Sequence, residues 1–210
     1  MPIINQFVSV IDRPTPTPQT KKYQLLQRVE NDDNNEIGTV VGFHCDANDI
    51  EYAVVALDAQ FRLASGQYSS AFTVVTDLPQ YSNVLVFSAN ETATFNCDKI
   101  LAQATVSGFT STAVSHCRSK IFTIDGVQYA GQLPNFIELV KILEFMPEVN
   151  AADISASQYS SLMLSTSCDY WSSSQRSDTT GFIIRSNGLS YTAAKTSDIF
   201  VAPILEIPNQ

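Results

Sequence analysis

Apolar and polar residues alternate with a period of two in several segments of the chain, which is typical of β-strands. IGTVVGFHC, beginning at Ile37, and YAVVALD, beginning at Tyr52, flank the polar DANDI segment, which predicts a β-hairpin. FTVVT and NVLVFS, after a Gly/Ser/Tyr-rich loop, are two further strand candidates. GFIIRS, LSYTAA and DIFVAPILEI return to this period near the end, and Asn187-Gly188 is a strong hairpin signal.

Two segments between these strands change to a helical period. The first is NETATFNCDKILAQAT, in which Asn90 or Thr92 could serve as the N-cap. The second is TSTAVSHCRSK, which begins after Gly108 and has Thr110 or Ser111 in position to cap it. The first helix has apolar residues in rough helical phase at Phe95, Ile100 and Leu101.

The clearest helix is predicted over LPNFIELVKILEFM, where Asn135 occupies the cap position and Pro147 helps to end the helix. Before it, Asp125-Gly126 predicts the turn of a hairpin within KIFTIDGVQYAG. The order of elements predicts an α+β fold with antiparallel sheets and two or three helices, whose first and last segments could pair. The apolar stripe of the helix consists of Phe136, Leu139, Val140, Leu143 and Phe145 or Met146.

Residues 1–35 differ from the rest, and we expect them to form an N-terminal attachment or oligomerisation arm that precedes a head domain over residues 36–210. RPTPTPQ predicts a semi-rigid extended segment, and ENDDNNE is an acidic run without core-forming residues. Between them, KKYQLLQRVE could form two or three helical turns that are too short to be stable alone. Its apolar face would need a partner, which is either the chain's own head or a neighbouring subunit.

Composition narrows the class of protein. The chain has 210 residues, of which 44% are apolar and 16% are charged, which suits one globular domain with a short extension. Its net charge of -9 argues against nucleic-acid binding, which needs clustered Lys and Arg. The first 18 residues lack a basic n-region, and no apolar run reaches about 18 residues, so we expect no signal peptide, no membrane insertion and folding in a cytoplasm.

The cysteines and histidines do not predict a metal site. His44-Cys45 and His116-Cys117 are adjacent pairs, and neighbouring side chains diverge on strands and helices alike, so neither pair chelates one ion easily. We expect no metal and no cofactor. Without an export signal we expect reduced thiols, with a Cys97–Cys117 bridge as the main alternative. The four cysteines are Cys45, Cys97, Cys117 and Cys168.

Five motifs occur in an order and spacing that resemble the C-type-lectin-like fold in its bacterial and phage branch. They are TATFNCDKILA, STAVSHC, GQLPNFIELVKI, YWSSSQRSDTTGFIIRSNG and KTSDIFVAPILEI. That branch is related to formylglycine-generating enzymes, retroelement-diversified variable proteins and Lcl-type surface-protein domains. The resemblance covers residues 37–207 and implies a lectin-like head.

The chain departs from this family at Ala202, where the family often has an Arg, and it lacks the EPN and WND calcium-binding pairs. Calcium-dependent sugar binding is therefore not implied. The whole chain also resembles virion structural or fibre proteins of crAss-like bacteriophages. That resemblance implies synthesis in a host cytoplasm and a final location in the virion.

The sequence does not predict an enzyme. Cys168 lies near Trp171, as a nucleophile could, but no second cysteine lies nearby in the sequence. The serine run from Ser172 to Ser174 lacks a G-x-S-x-G frame, and we expect these serines to be hydrogen-bonding loop residues.

Recognition residues are expected after the lone tryptophan. Trp171, with Tyr170, is predicted to anchor this region to the core, although stacking on a sugar ring or partner is the alternative. The loop at residues 175–181 and the following hairpin are expected to form a ligand or receptor surface, with a solvated polar face as the alternative. The candidate ligand-binding residues are Gln175, Arg176, Asp178, Arg185, Asn187, Tyr191, Thr192 and Lys195.

The sequence therefore favours a phage virion structural protein, in a head or tail fibre or as a decoration protein, that displays a lectin-like domain. We expect non-covalent host attachment through a surface glycan or protein, with weak contacts multiplied by copy number. We expect a homo-oligomer, either a trimer or a dimer, and contacts with other virion proteins through the arm. The alternatives are a bacterial surface adhesin of the same fold and an enzyme related to formylglycine-generating oxidases.

Overall fold

The structure is a computed structural model that describes residues 22–46, 48–81, 92–149, 168–185 and 189–210. These residues form an α+β fold, as predicted, with strands outnumbering helices. The helices are α1 (Ala93–Ser107), α2 (Thr112–Arg118) and α3 (Phe136–Val149), with a short 3₁₀ turn at Ala59–Phe61. The strands are β1 (Arg28–Glu30), β2 (Glu36–Cys45), β3 (Glu51–Leu57), β4 (Leu63–Gly66), β5 (Ile121–Ile124), β6 (Val127–Ala130), β7 (Asp169–Gln175), β8 (Thr180–Arg185), β9 (Ser190–Ala194), β10 (Ile199–Val201) and β11 (Ile204–Pro208).

One sheet has four strands in the order β1-β2-β3-β11. The predicted first hairpin is β2–β3, and β11 pairs antiparallel with β3, so the prediction that the first and last segments pair is confirmed. Both faces of this sheet are buried. Val54 packs in one hydrophobic cluster and Val55 in another, which is why YAVVAL is a continuous apolar run instead of an alternating one.

The second sheet has five strands in the order β4-β10-β7-β8-β9. β7, β8 and β9 are antiparallel, whereas β10 runs parallel to β7. The segment DIFVAPILEI, predicted as one strand, is divided at Ala202 and Pro203 into β10 and β11. The chain therefore passes from the five-stranded sheet into the four-stranded sheet at this point.

The helix caps and one predicted turn are confirmed. The side chain of Thr92 accepts a hydrogen bond from the backbone N–H three residues later, and Ser111 does the same for α2. At α3, Asn135 Oδ1 accepts from the backbone N–H of Glu138, while Glu138 Oε2 accepts from that of Asn135, which completes a capping box. The β5–β6 hairpin turns at Asp125-Gly126, as expected.

The helix predicted over KKYQLLQRVE is wrong in its described part. Residue Leu26 has a φ of 63°, and β1 forms a strand that pairs with β2. Tyr23 is buried against the four-stranded sheet, so residues 22–35 pack on the head. Pairing with β2 satisfies backbone groups that a short isolated helix would leave exposed. A role of residues 1–35 as an attachment arm stays a prediction.

Three other local predictions need correction or lie outside the described residues. FTVVT is irregular, because its backbone groups bond to side chains: Thr73 O accepts from Lys195 Nζ, and Val75 N and O bond to the Gln175 amide. Pro147 lies within α3 and does not end it. NVLVFS and Asn90 lie outside the described residues. Among the described helices, none is long and apolar enough to cross a membrane.

Candidate functional site

Two of the predicted recognition residues are buried, and the expectation that they form an exposed surface is wrong. Gln175 is 1% exposed and Lys195 is 0% exposed. Gln175 Oε1 accepts from Val75 N at 3.2 Å and from Lys195 Nζ at 2.8 Å, and its Nε2 donates to the carbonyls of Val75 and Leu78. Lys195 Nζ also donates to Thr73 O at 2.9 Å. Hydrogen bonds from these two side chains take the place of those that a neighbouring strand would make with the backbone of residues 73–78.

The other predicted residues that the structure describes lie nearer the surface. Arg176 Nη1 donates to Tyr81 O at 2.8 Å, and Asp178 Oδ1 accepts from Gln80 Nε2 at 2.8 Å. These contacts hold the turn between β7 and β8 against residues 80–81.

On β8 and β9, the guanidinium of Arg185 lies 4.1 Å from the centre of the Tyr191 ring and its Nε donates to Asp169. Thr192 is exposed, but it is adjacent to Tyr191 on a strand, so the two side chains point to opposite faces. Asn187 lies outside the described residues. A binding role for this exposed polar surface stays a prediction.

Trp171 and Tyr170 lie in β7 and are buried. The indole Nε1 of Trp171 donates to Gly66 O at 2.8 Å, and the Tyr170 ring packs against Phe200. In this position Trp171 cannot stack on a sugar at the surface. The serines Ser172, Ser173 and Ser174 are buried in the same strand, which corrects their prediction as loop residues.

A cleft that the sequence did not predict lies beside the N-terminus of α1. It has a volume of about 260 Å³. His44 near the end of β2 and Glu206 in β11 both flank β3, where their register partners are Tyr52 and Val54. Because Tyr52 and Val54 are two residues apart on one strand, His44 and Glu206 share a face of the sheet. The lining residues are His44, Asp46, Tyr52, Thr92, Thr94, Phe95 and Glu206.

Glu138, in the first turn of α3, approaches the same place from above the sheet. Its Oε1 lies 3.2 Å from His44 Nδ1, and Glu206 Oε1 lies 3.2 Å from His44 Nε2. The side chains of Glu138, Glu206 and His44 are 1%, 4% and 14% exposed, so two carboxyl groups and an imidazole meet where water barely reaches them. We call these three residues the His44 cluster.

Hydrogen bonds satisfy the His44 cluster only in part. Glu206 accepts from the backbone N–H groups of Ala93 at 3.0 Å and Thr94 at 2.8 Å, and it also bonds to the Thr94 hydroxyl. A carboxylate is favoured there by the dipole of α1. By contrast, Glu138 Oε1 and both nitrogens of His44 have no hydrogen-bond partner of ordinary geometry in the described part of the chain.

Burial changes the protonation of these groups. Burial and then the neighbouring Glu138 carboxyl raise the pKa of Glu206 to about 8, and burial raises the pKa of Glu138 to about 6. Burial also lowers the pKa of His44, so its imidazole is neutral at pH 7 and its contacts with the carboxyls are not ion pairs. Lys141, whose Nζ donates to Phe43 O, contributes a nearby positive charge, although burial lowers the pKa of Lys141 as well.

The cysteines do not join this cluster. All four are free thiols, and the alternative Cys97–Cys117 bridge is not formed. Cys97 accepts from the backbone N–H of Leu133, and burial raises its pKa to about 12. Within the described residues, His44, Glu138 and Glu206 are the group of His, Cys, Asp and Glu side chains whose donor atoms come within 4.8 Å of one another.

The described residues place the chain among α+β proteins, with a four-stranded, a five-stranded and a two-stranded sheet. No protein-family model matches the sequence, and no curated protein matches it significantly. Among solved structures, the chain is similar to a fimbrial protein from Bacteroides ovatus ATCC 8483, with a TM-score of 0.60 and 13% sequence identity. The similarity covers 87% of this chain and 48% of the fimbrial protein, so the chain spans about half the length of that protein. At this identity the two share a fold.

Proposed function

We propose that this protein is a structural subunit of a surface attachment assembly and that it acts by non-covalent binding. The observation that supports this proposal is the fold similarity to a fimbrial protein over 87% of the chain. The simplest form of the proposal is a fimbrial or adhesin-type subunit on a bacterial surface. In this form the head carries a C-type-lectin-like domain, as the sequence motifs suggest.

The edge of the five-stranded sheet supports an assembly role. In the described part of the sheet, β9 is the last strand, with β8 on one side. Tyr191 in β9 is 39% exposed, and Leu189, directly before β9, is 52% exposed. An exposed edge strand offers unpaired backbone groups to another chain. We propose a homo-oligomer, a dimer or a trimer, that uses this edge together with residues 1–35.

The buried thiols favour a binding role over an oxidase role. Cys97 and Cys117 are fully buried and burial raises the pKa of both, whereas reactive cysteines need an accessible thiolate. Neither thiol is placed to activate oxygen or attack a substrate. The two buried thiols support the proposal that the protein is not an enzyme; Cys168, the candidate nucleophile in the sequence, is half-buried, and Cys45 is exposed.

A virion protein is the second candidate, because the whole sequence resembles virion proteins of crAss-like bacteriophages. The same head would then be displayed on a head or tail fibre, and the N-terminal residues would bind other virion proteins. Both candidates share attachment through a host-surface glycan or protein and differ in the particle that carries the chain.

Immunogold electron microscopy with antibodies against the purified chain tests the proposal. Labelling of surface filaments on intact cells of the source organism supports the fimbrial candidate, whereas labelling of purified phage particles supports the virion candidate. Label confined to the cell interior would contradict both.

A truncation series tests assembly. Deleting residues 1–21 leaves Tyr23 and β1 in place, so the head should stay folded while sedimentation analysis shows loss of the oligomer. Deleting residues 1–35 also removes the buried Tyr23 and Val29, and serves as the control for damage to the core. An oligomer that survives the shorter deletion would contradict the proposed role of the N-terminal residues.

The ligand surface is tested separately on a glycan array with the oligomer. Replacing Arg176 and Tyr191 by Ala should abolish glycan signals if the exposed polar surface binds sugar. A matched change at Glu30, which is exposed on the other sheet, should leave them unchanged. Unchanged signals from the double variant would place the site elsewhere.

A further inference from the structure

The His44 cluster has the donor atoms of a cation site. It combines one imidazole and two carboxyl groups from three separate elements, β2, α3 and β11. Glu138 is 1% exposed, and its Oε1 lies 3.2 Å from His44 Nδ1 without a hydrogen bond of ordinary geometry to it, while the Glu138 carboxyl group is hydrogen-bonded to that of Glu206. Buried polar atoms in folded proteins nearly always have a partner, and in the described residues both nitrogens of His44 have none of ordinary geometry, which points to a missing one at this imidazole.

The spacing of the donor atoms fits a metal ion. Glu138 Oε1 lies 3.2 Å from His44 Nδ1 and Glu206 Oε1 lies 3.2 Å from His44 Nε2, and one donor atom of each residue lies within 4.8 Å of the other two. Ligand atoms at zinc distances in a tetrahedron lie roughly 3.3 Å from one another. An imidazole binds a metal through one nitrogen, so one carboxylate or the ring must move until both carboxylates lie on the side of that nitrogen.

The charges also fit a divalent cation. When both carboxylates bind an ion they carry two negative charges in a buried site, and the nearby Lys141 ammonium is directed at Phe43 O. Burying unpaired charge is costly, and a divalent cation would neutralise both carboxylates at once. The cleft reaches His44 and Glu206 from solvent, which leaves an entry path and an open coordination position.

We propose that His44, Glu138 and Glu206 bind a divalent transition-metal cation of the zinc class at the inner end of this cleft. The imidazole favours zinc-like ions over Ca²⁺ and Mg²⁺, which take oxygen ligands. The absence of cysteine ligands distinguishes the site from structural zinc sites rich in thiolate. This proposal reverses the expectation from sequence that the chain binds no metal, and it does not depend on the proposed attachment function.

The test is a titration of the full chain after treatment with a chelator. Isothermal titration calorimetry with ZnCl₂ should show one saturable site per chain, and Tm should rise by about 5 °C or more at 100-fold excess over Kd. CaCl₂ and MgCl₂ should produce no comparable shift. Because the ion displaces protons held by the cluster, the binding enthalpy should depend on the ionisation enthalpy of the buffer. No saturable zinc binding, or equal shifts with all three cations, would overturn the proposal.

Variants locate the site. Glu206→Gln and His44→Gln should each weaken zinc binding by more than about tenfold, since each removes a ligand. The controls are Cys45→Ser, which removes the exposed thiol next to His44, and His116→Gln, which changes the other histidine. Both controls should bind zinc like the unchanged chain.

Cobalt spectroscopy provides a readout in the unchanged chain, in case a variant fails to fold. Co²⁺ bound by one nitrogen and carboxylate oxygens should show d–d absorption without the thiolate-to-cobalt charge-transfer band. A strong charge-transfer band would assign the metal to a thiol and overturn the proposal. Loss of both this band and zinc binding in Cys45→Ser would identify Cys45 as that thiol and would overturn the proposal as well.

Discussion

Two groups of buried polar side chains in this protein differ in how completely they are hydrogen-bonded. Around Gln175 and Lys195, the amide makes four hydrogen bonds and the ammonium makes two. In the His44 cluster, both imidazole nitrogens and one carboxyl oxygen make none of ordinary geometry. The Gln175 amide makes all four hydrogen bonds open to it, as structural support requires, whereas incomplete satisfaction leaves capacity to bind a proton or an ion. Burial alone therefore does not distinguish support from a site.

The largest loss of stability is expected from a change in the hydrogen-bonded group of Gln175 and Lys195. Gln175→Leu keeps the volume but leaves Lys195 Nζ and the carbonyls of Val75 and Leu78 without this partner, so the free energy of unfolding should fall by roughly 3 kcal/mol or more. Urea unfolding measures this loss. Gln80→Leu is the matched control, because Gln80 is exposed and its loss should cost less than about 0.5 kcal/mol. Equal losses in the two variants would remove the distinction between the two groups.

The second-largest effect is expected at the His44 cluster, where the free energy of unfolding of the metal-free chain should depend on pH. The pKa of Glu206 is about 8 in the folded chain, above its usual 4.5, so the folded state binds the proton more tightly. The stability from this group is fully present below pH 4.5 and is lost as the pH rises to 8. The raised pKa of Glu138, about 6, acts in the same direction between pH 4.5 and 6. The lowered pKa of His44 acts in the opposite direction, since acid favours the unfolded imidazolium.

Glu206→Gln removes the main part of this dependence. The free energy of unfolding of the variant, relative to that of the unchanged chain, should rise by roughly 1–3 kcal/mol between pH 5 and pH 8, since one pKa unit corresponds to about 1.4 kcal/mol. Urea unfolding at four pH values in that range measures the gain. Glu30→Gln removes a charge from the surface and is the control, with a flat difference expected. If the difference in free energy of unfolding between Glu206→Gln and the unchanged chain also stayed constant with pH, Glu206 would be ionised in the folded chain at pH 5.

A smaller effect is expected at Ser173, which accepts a hydrogen bond from Asn96 Nδ2 at 3.1 Å in the core. Ser173→Ala leaves that buried amide unpaired and should cost about 1–2 kcal/mol in urea unfolding. Ser190→Ala, on exposed β9, is the matched control with no measurable cost expected. Asn96 Oδ1 already lacks a hydrogen-bond partner in the described residues, so a negligible cost at Ser173 would show that the loss of the Nδ2 partner is tolerated as well.

The smallest effect is expected at the surface. Arg185→Gln removes the contacts with the Tyr191 ring and Asp169, both of which are partly exposed, so the cost should be about 0.5 kcal/mol or less. Thermal unfolding of this variant measures the smallest loss of stability in the series of variants. A cost above that of Ser173→Ala would show that the β8–β9 surface contributes more to stability than its exposure suggests.

Local signals in the sequence predicted much of the fold. The caps at Thr92, Ser111 and Asn135 act within one helical turn, and the turn at Asp125-Gly126 needs only its own residues, so both could be inferred without knowledge of the rest of the chain. The pairing of β1 with β2 could not, because Tyr23 and Val29 are buried by a sheet whose position depends on distant residues.

The His44 cluster was missed for the same reason. Its members are more than 60 residues apart in the sequence and meet only because β2 and β11 flank β3 and α3 packs above them. One signal was present: Glu206 is a lone charge in the apolar run VAPILEIP, and such a residue needs a buried partner. The recognition surface was predicted from polarity alone, which cannot distinguish an exposed Tyr191 from a buried Lys195.

The crossing from β10 to β11 also determines how the molecule would bear load. β11 is held to β3 by a five-residue antiparallel register from Ile204 to Pro208, directly after the chain leaves the five-stranded sheet. A pull along the axis of β11 from residue 210 would strain these hydrogen bonds together, in shear, and not one after another. The five-stranded sheet would bear the tension only after β11 had slipped from β3.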